Sequence, residues 1–432
     1  MNAVLAVPFE LRLALLFLLG AVLGGQLNRA VYRLAWNRRS ISPWSPPPEG
    51  VARRSWLACV PIFGWLAMRR ESEVHGHGFW IRPMFIELGA AVGLAALYAW
   101  EVRGGLLPIT HRALAALPLN NPLSLARLVH EQFLAHAVLL ALLAVGTFID
   151  FDEQTIPDAV TVPGTVLGLL FAALLPATRL PVLEAPGGSP RISPLLLHSP
   201  APNDAWPAWL DGPAGLAIGL ACVVAACLAI LPWLWTTRRG LRKAFAYLVA
   251  SVARDRGSKY IGLLAMGAIA GVTATWLWGR GEGDASWHAL LSALVGMVFG
   301  GGLIWLVRIF ASLALQREAM GFGDVTLMAM IGAFLGWQPA LLVFFLAPFA
   351  ALIIAVLQKL LSGSSVIAFG PYLSLAAVYL IVDWNRVWNL RAAGVFTLGW
   401  RIPAITAVGL LLMGGILYAW RLLRDWLSKP TP

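Results

Sequence analysis

Carboxylates are scarce in this chain, 21 Asp and Glu among 432 residues, and their grouping carries information. Asp150, Asp152, Glu153 and Asp158 stand together in FIDFDEQTIPD, at the end of an apolar stretch. Asp324 follows Gly321-Phe322-Gly323 and opens another apolar stretch, VTLMAMIGAFLGW. An acid beside a membrane-length apolar segment costs up to a few kcal/mol if it enters hydrocarbon, so such residues are usually functional or face a polar cavity. Two carboxylates brought together can hydrolyse an amide without a metal. One, ionised, takes a proton from water, and the other, protonated, polarises the carbonyl. Such a pair shares a proton and titrates as a unit. Glycines at 321 and 323 permit close backbone approach and unusual φ. Taken singly, Asp324 also reads as a helix N-cap, and Asp152 and Asp158 as solvated loop or turn residues.

The elements that must position these acids are transmembrane helices. Hydrophobic residues make up 59% of the chain and charged ones 12%, with a mean hydropathy of +0.75. Soluble domains carry roughly 25% charge, so a soluble globule and a disordered chain are both excluded. Three cysteines (Cys59, Cys222, Cys227) exclude a disulfide scaffold. Cys222 and Cys227, inside an apolar stretch, read as packing residues. Spans of about 20 apolar residues are expected at 11–28, 83–100, 133–150, 159–176, 213–236, 260–279, 288–312, 325–337, 339–359, 367–384 and 402–420. That is an all-α polytopic membrane protein of about eleven helices, the segment 325–337 being short enough for a half-length or tilted helix. Basic residues concentrate in 29–82 and 237–259, which orients the chain N-out, C-in. The net charge of +11 is then loop charge facing lipid, and no nucleic-acid partner is expected. Segment 237–259 also reads as an amphipathic helix on the inner leaflet. Segment 177–212, rich in Pro, Ser and Gly, reads as an irregular external loop.

At these residues the chain resembles the type IV prepilin peptidases, membrane aspartyl proteases of the G-x-G-D class. Their first aspartate opens a pattern of Asp, six residues and Pro-Asp, matched here by Asp150, Pro157 and Asp158. Their second closes G-x-G-D, matched by Gly321, Gly323 and Asp324, with MIGAFLG following. Further matches come in order: GGQLNRAVYRL at 24–34, SWLACVPIFGWLAMRRE at 55–71, FWIRPMFIEL at 79–88 and AFGPYLS at 368–374. The departures are equally specific. The family's loop commonly holds two C-x-x-C pairs, a credible zinc site. Only Cys59 remains here, and His75 and His77 lack the spacing to replace the rest, so no metal is expected. The family has about eight helices.

The resemblance implies an inner-membrane enzyme whose active site faces the cytoplasm. Asp150 and Asp324 would cleave the leader of type IV prepilins or of pseudopilins in type II secretion. S-adenosylmethionine-dependent N-methylation of the new N-terminus would follow. Asn28, Arg33, Arg82 and Glu87 are the candidate contributors to the methyl-donor site, Glu87 pairing with a basic loop residue. Positive-inside anchoring accounts equally for the two arginines. The organisation expected is a first span (1–28), a cytoplasmic loop domain without the cysteine pairs (29–82), spans with the first aspartate (83–176), an insertion (177–287), G-x-G-D core spans (288–384) and an extra C-terminal span and tail (385–432). Prepilins or pseudopilins and membrane lipids are the expected partners. Two other classes stay compatible with the residues: an inactive peptidase-like scaffold of a pilus or secretion system, and a transporter with acidic cation sites at the membrane boundary.

Overall fold

The structure, a computed structural model, describes residues 5–39, 41–47, 54–105, 122–184, 191–198, 206–231, 254–281, 284–316, 320–361, 369–399 and 401–427. The amphipathic reading of 237–259 falls mostly outside them. Eight described helices are long and apolar enough to cross a membrane. They are α1 (Phe9–Leu34), α2 (Ile81–Val102), α3 (Pro122–Glu153), α5 (Pro213–Ile230), α6 (Arg256–Gly279), α7 (Asp284–Leu315), α9 (Trp337–Leu361) and α11 (Arg401–Leu427). Three shorter apolar helices accompany them: α4 (Asp158–Leu174), α8 (Phe322–Leu335) and α10 (Gly370–Val382). The molecule is a helical polytopic membrane protein. Each apolar stretch recognised in the sequence overlaps one of these helices, of which eight and not eleven have the length of a full span.

Close helix contacts rest on missing side chains. A Cβ on Gly296 of α7 would collide with the carbonyl of Gly332 on α8, and one on Gly332 with the carbonyl of Gly296. The two backbones therefore touch, as small residues allow between membrane helices. Gly20 and Gly24 do the same for α1 against Ala90 and Glu87 of α2. Helix α8 is almost entirely buried. At about 21 Å it falls short of the roughly 30 Å hydrocarbon core, and Gly336, at φ 104°, ends it. The fully buried Arg179 closes that end: its guanidinium donates to the carbonyls of Phe334 (3.0 Å), Ala333 (3.4 Å) and, on α7, Ala289 (3.3 Å). The carbonyls of Ala333 and Phe334 are among those the C-terminus of α8 leaves without intrahelical partners.

Segment 177–212 includes, among its described residues, regular structure where an irregular loop was expected. It contains an antiparallel hairpin, β1 (Pro181–Glu184) with β2 (Arg191–Pro194), in the register Pro181 opposite Pro194. Buried indoles fasten the segment to the helices. Trp287 donates to Leu210 O (2.9 Å), Trp337 to Leu197 O (2.7 Å) and Trp384 to Pro181 O (2.8 Å). Tryptophans that composition assigns to interfacial belts thus also satisfy buried carbonyls, as buried backbone groups require.

Candidate active site

The first acidic stretch turns a corner. Helix α3 runs through Asp150 to Glu153, Gln154 adopts φ 55°, and α4 begins at Asp158 after Pro157. Pro157 supplies an extended residue before the first helical turn. Asp150, on the last turns of α3, is 5% exposed.

Asp324 lies in the first turn of α8, 8% exposed, and it is not the cap. The N-cap is Gly321, extended at φ −68° and ψ 153°, and no side chain caps the helix. Gly323 has a steric reason to be glycine. A Cβ there would lie 2.9 Å from both the Cβ and the carbonyl oxygen of Ile156, which sits between the two ends of the first acidic motif. The second motif abuts the first through this residue, and Asp324 comes within electrostatic range of Asp150. Helix α10 closes the site. The Gly370 N–H reaches the Asp150 carboxylate, and a Cβ at Gly370 would stand 2.7 Å from Asp150 Oδ2. Two helix N-termini, α8 and α10, thus direct positive partial charge at the carboxylates. Below Asp324, Thr161 of α4 donates to Thr326 Oγ1 (2.9 Å), which donates to Gly323 O (3.1 Å). Gly370 and Ile156 were not singled out from sequence as site residues. The FGPY motif was the available signal for the first, and nothing marked the second.

The other acids of the first stretch do different work. Asp152 is exposed and pairs with Arg82 of α2 (2.6 and 2.8 Å). Arg82 also donates to Phe148 O (3.0 Å) and lies over the Phe148 ring. Glu153 accepts from the Trp36 and Asn37 N–H groups (2.6 and 2.7 Å), tying the turn after α1 to the end of α3. Asp158, exposed at the start of α4, has its carboxylate within reach of the Thr326 hydroxyl.

The four residues gathered for a methyl donor stand apart in role. Glu87 is buried and, among the described residues, is paired with no arginine. It accepts from the Ile62 N–H (2.5 Å), the Trp65 indole (2.7 Å) and the Asn28 amide (3.4 Å). Asn28, also buried, donates to Pro83 O (2.9 Å). Ile62 is held at φ 68°, so this carboxylate secures a strained turn of the loop against α1 and α2. Arg82 is engaged by Asp152, and Arg33 lies exposed on α1. As arranged, Glu87, Asn28 and Arg82 brace the loop, and of the four residues only Arg33 lines a cavity. In the same loop Cys59 lies 3.9 Å from Pro43 O, and Arg54 is clasped by Glu71 and by the carbonyls of Ser42 (2.8 Å) and Ser45 (2.6 Å).

Fold and site together define a polytopic membrane protein with two buried aspartates at abutting helix ends. Residues 260–356, from α6 through most of α9 and including Asp324, match the Type IV leader peptidase family. Curated relatives named "Prepilin leader peptidase/N-methyltransferase" agree. The one from Escherichia coli (strain K12) is 34% identical over 91 residues, 21% of this chain and 40% of its own length. That from Pseudomonas aeruginosa is 38% identical over 100 residues, 22% of this chain and 34% of its own. That from Neisseria gonorrhoeae is 26% identical over 163 residues, 36% and 52% respectively. The chain thus aligns with about a third to a half of the length of these relatives. No solved structure matches it. Over these stretches the chain is similar to the type IV leader peptidase family.

Proposed function

We propose that this protein is an integral-membrane aspartyl endopeptidase that removes the leader of type IV prepilins or pseudopilins at the cytoplasmic face of the inner membrane. The observation that carries the reading is the contact of the two aspartate motifs through Gly323 and Ile156, with both acids buried. In the reaction, one carboxylate is ionised and takes a proton from water as the water oxygen attacks the scissile carbonyl. The other, protonated, gives its proton to the carbonyl oxygen. Collapse of the tetrahedral intermediate breaks the C–N bond, and the proton taken from water passes to the leaving amine. Burial keeps bulk water from competing and strengthens the electrostatics of the pair. The N-out, C-in orientation is supported by the arginines at the end of α1 (Arg29, Arg33) and between α1 and α2 (Arg38, Arg39, Arg69, Arg70). In that orientation the last turn of α3 and the first turn of α8 face the side where an unexported leader lies. The names of the relatives include methyl transfer as well as leader cleavage.

The test is purified protein with candidate prepilins from the same genome, read by mass spectrometry of the product N-terminus. Asp150→Asn and Asp324→Asn are each expected to abolish cleavage while the protein stays inserted and folded. Full cleavage by either variant ends the paired-carboxylate mechanism. Retained folding without any cleavage by the wild type, across all candidate substrates, favours the scaffold reading instead.

A further inference from the structure

Helix α1 presents one outward face along its whole length. Leu11, Leu15, Leu18 and Val22 are exposed on it, and Arg29 and Arg33, also exposed, continue the same line. At 100° per residue the six fall within an arc of about 60°. The change from apolar to basic occurs over about 10 Å of helix rise, between Val22 and Arg29, which is the depth scale of a lipid headgroup region. At the basic end the chain folds back. The Arg39 N–H bonds to Tyr32 O (3.0 Å), and Arg38, Arg39, Ser42 and Trp44 join Arg29 and Arg33 around a cavity of about 390 Å³. No acidic residue lines it, and among the described residues none of the four arginines is paired with a carboxylate.

We infer that this cavity binds a phosphate-bearing anion, namely the headgroup of an anionic phospholipid whose acyl chains lie along the apolar face of α1. Four guanidinium groups without counter-charge match phosphate oxygens, which arginine recognises through paired N–H donors. Basic pockets at the cytoplasmic ends of membrane helices are where such headgroups bind. The unbroken stripe is what favours lipid over free phosphate, since a soluble anion gains nothing from Leu15 or Leu18. A basic peptide is repelled by the same arginines, so the site is distinct from that of a basic leader. It is nevertheless joined to the candidate active site, because the turn carrying Trp36 and Asn37 is latched to Glu153, on the same helix as Asp150.

The inference is tested by thermal melting of the protein in neutral detergent, titrated with phosphatidylglycerol, phosphatidylcholine or inorganic phosphate at matched ionic strength. Phosphatidylglycerol is expected to raise the melting temperature and the other two are not. The Arg33→Gln/Arg39→Gln double variant should bind phosphatidylglycerol about 25-fold more weakly, roughly fivefold per arginine. Arg33→Lys/Arg39→Lys should retain most of the affinity, which separates lost charge from lost fold. Arg69→Gln/Arg70→Gln, in the same loop but outside the cavity, should leave it unchanged. Equal protection by phosphatidylcholine overturns the inference. So does an equal loss in the Arg69/Arg70 variant, which would reduce the effect to general surface charge. Equal protection by inorganic phosphate overturns the lipid assignment.

Discussion

Gly370→Ala puts the proposed chemistry at risk with a single methyl group. The added Cβ would lie 2.7 Å from Asp150 Oδ2 and 2.6 Å from the Cδ1 of Ile156, where ordinary contact begins near 3.4 Å. Something must move by about 0.7 Å, and the carboxylate is the softer neighbour because it ends a short side chain with one free rotor. A misplacement of about 1 Å in a catalytic group costs on the order of 100-fold in rate. The expectation for 0.7 Å is a kcat loss of about 30- to 100-fold, or ~2–2.7 kcal/mol of barrier, with KM little changed. Stability moves less. Overpacking costs about 1–3 kcal/mol, and replacing glycine by alanine in a helix returns up to ~1 kcal/mol. The assay is steady-state cleavage of a prepilin beside thermal melting in the same detergent. Gly89→Ala on α2, where a Cβ meets nothing within 4 Å, is the control. Gly323→Ala is the sterner companion, because its methyl would meet the backbone of Ile156 and part the two motifs. A Gly370→Ala protein that melts normally and cleaves at the wild-type rate would refute the claim that Asp150, held against α10, performs the chemistry.

Asp152→Asn breaks the Arg82 ion pair, but both side chains are about one-third exposed (38% and 32%), and exposed pairs are worth about 0–1 kcal/mol. Cleavage should stay within a few-fold of wild type, and a loss comparable to that of Asp150→Asn would move Asp152 into the chemistry. Glu71 is different: buried and hydrogen-bonded to Arg54, it is held below its ordinary value of 4.5. A carboxylate lowered on folding stabilises the native state above the unfolded-state value, and that contribution is lost as pH falls through the lower folded value. The melting temperature should therefore decline below about pH 4.5. Glu71→Gln should lower it at neutral pH by leaving Arg54 buried without its partner, a loss of about 3–5 kcal/mol, and should flatten the acid limb; an unchanged acid limb in this variant would show that other groups set it.

The helices were legible because the membrane demands long apolar runs, and α8 was recognisable even as a short helix. Period and hydropathy could not show what Gly296 and Gly332 do, since a glycine that brings backbones into contact looks the same in sequence as one that loosens a helix. The hairpin strands of 181–194 were hidden for a related reason: they are only four residues each, and they are held by groups distant in sequence, the Trp384 indole on Pro181 O and Gln132 on the carbonyl of the adjoining Arg179. Glu87 illustrates the opposite error of reading. Its position near arginines promised an ion pair, yet an N–H, an indole and an amide already satisfy it. A buried acid takes whichever donors the fold brings within reach, and sequence neighbours do not determine those.

The acidic run FIDFDEQTIPD was ambiguous because its four carboxylates occupy three faces of one corner. Asp150, on the buried face of α3, meets α10 and lies within electrostatic range of Asp324 on α8. Asp152, two residues on and hence about 200° around the helix, points outward to Arg82 of α2. Glu153 caps the turn after α1, and Asp158 opens α4. The exposed members tether the end of α3 to the first two helices within one turn of Asp150. With Glu87 holding the Ile62 turn to α1 and α2, the loop between those helices is braced directly on the helix that bears the proposed catalytic acid. A change in that loop therefore reaches Asp150 through Arg82–Asp152 and Glu153, contacts that involve neither the substrate nor the second aspartate.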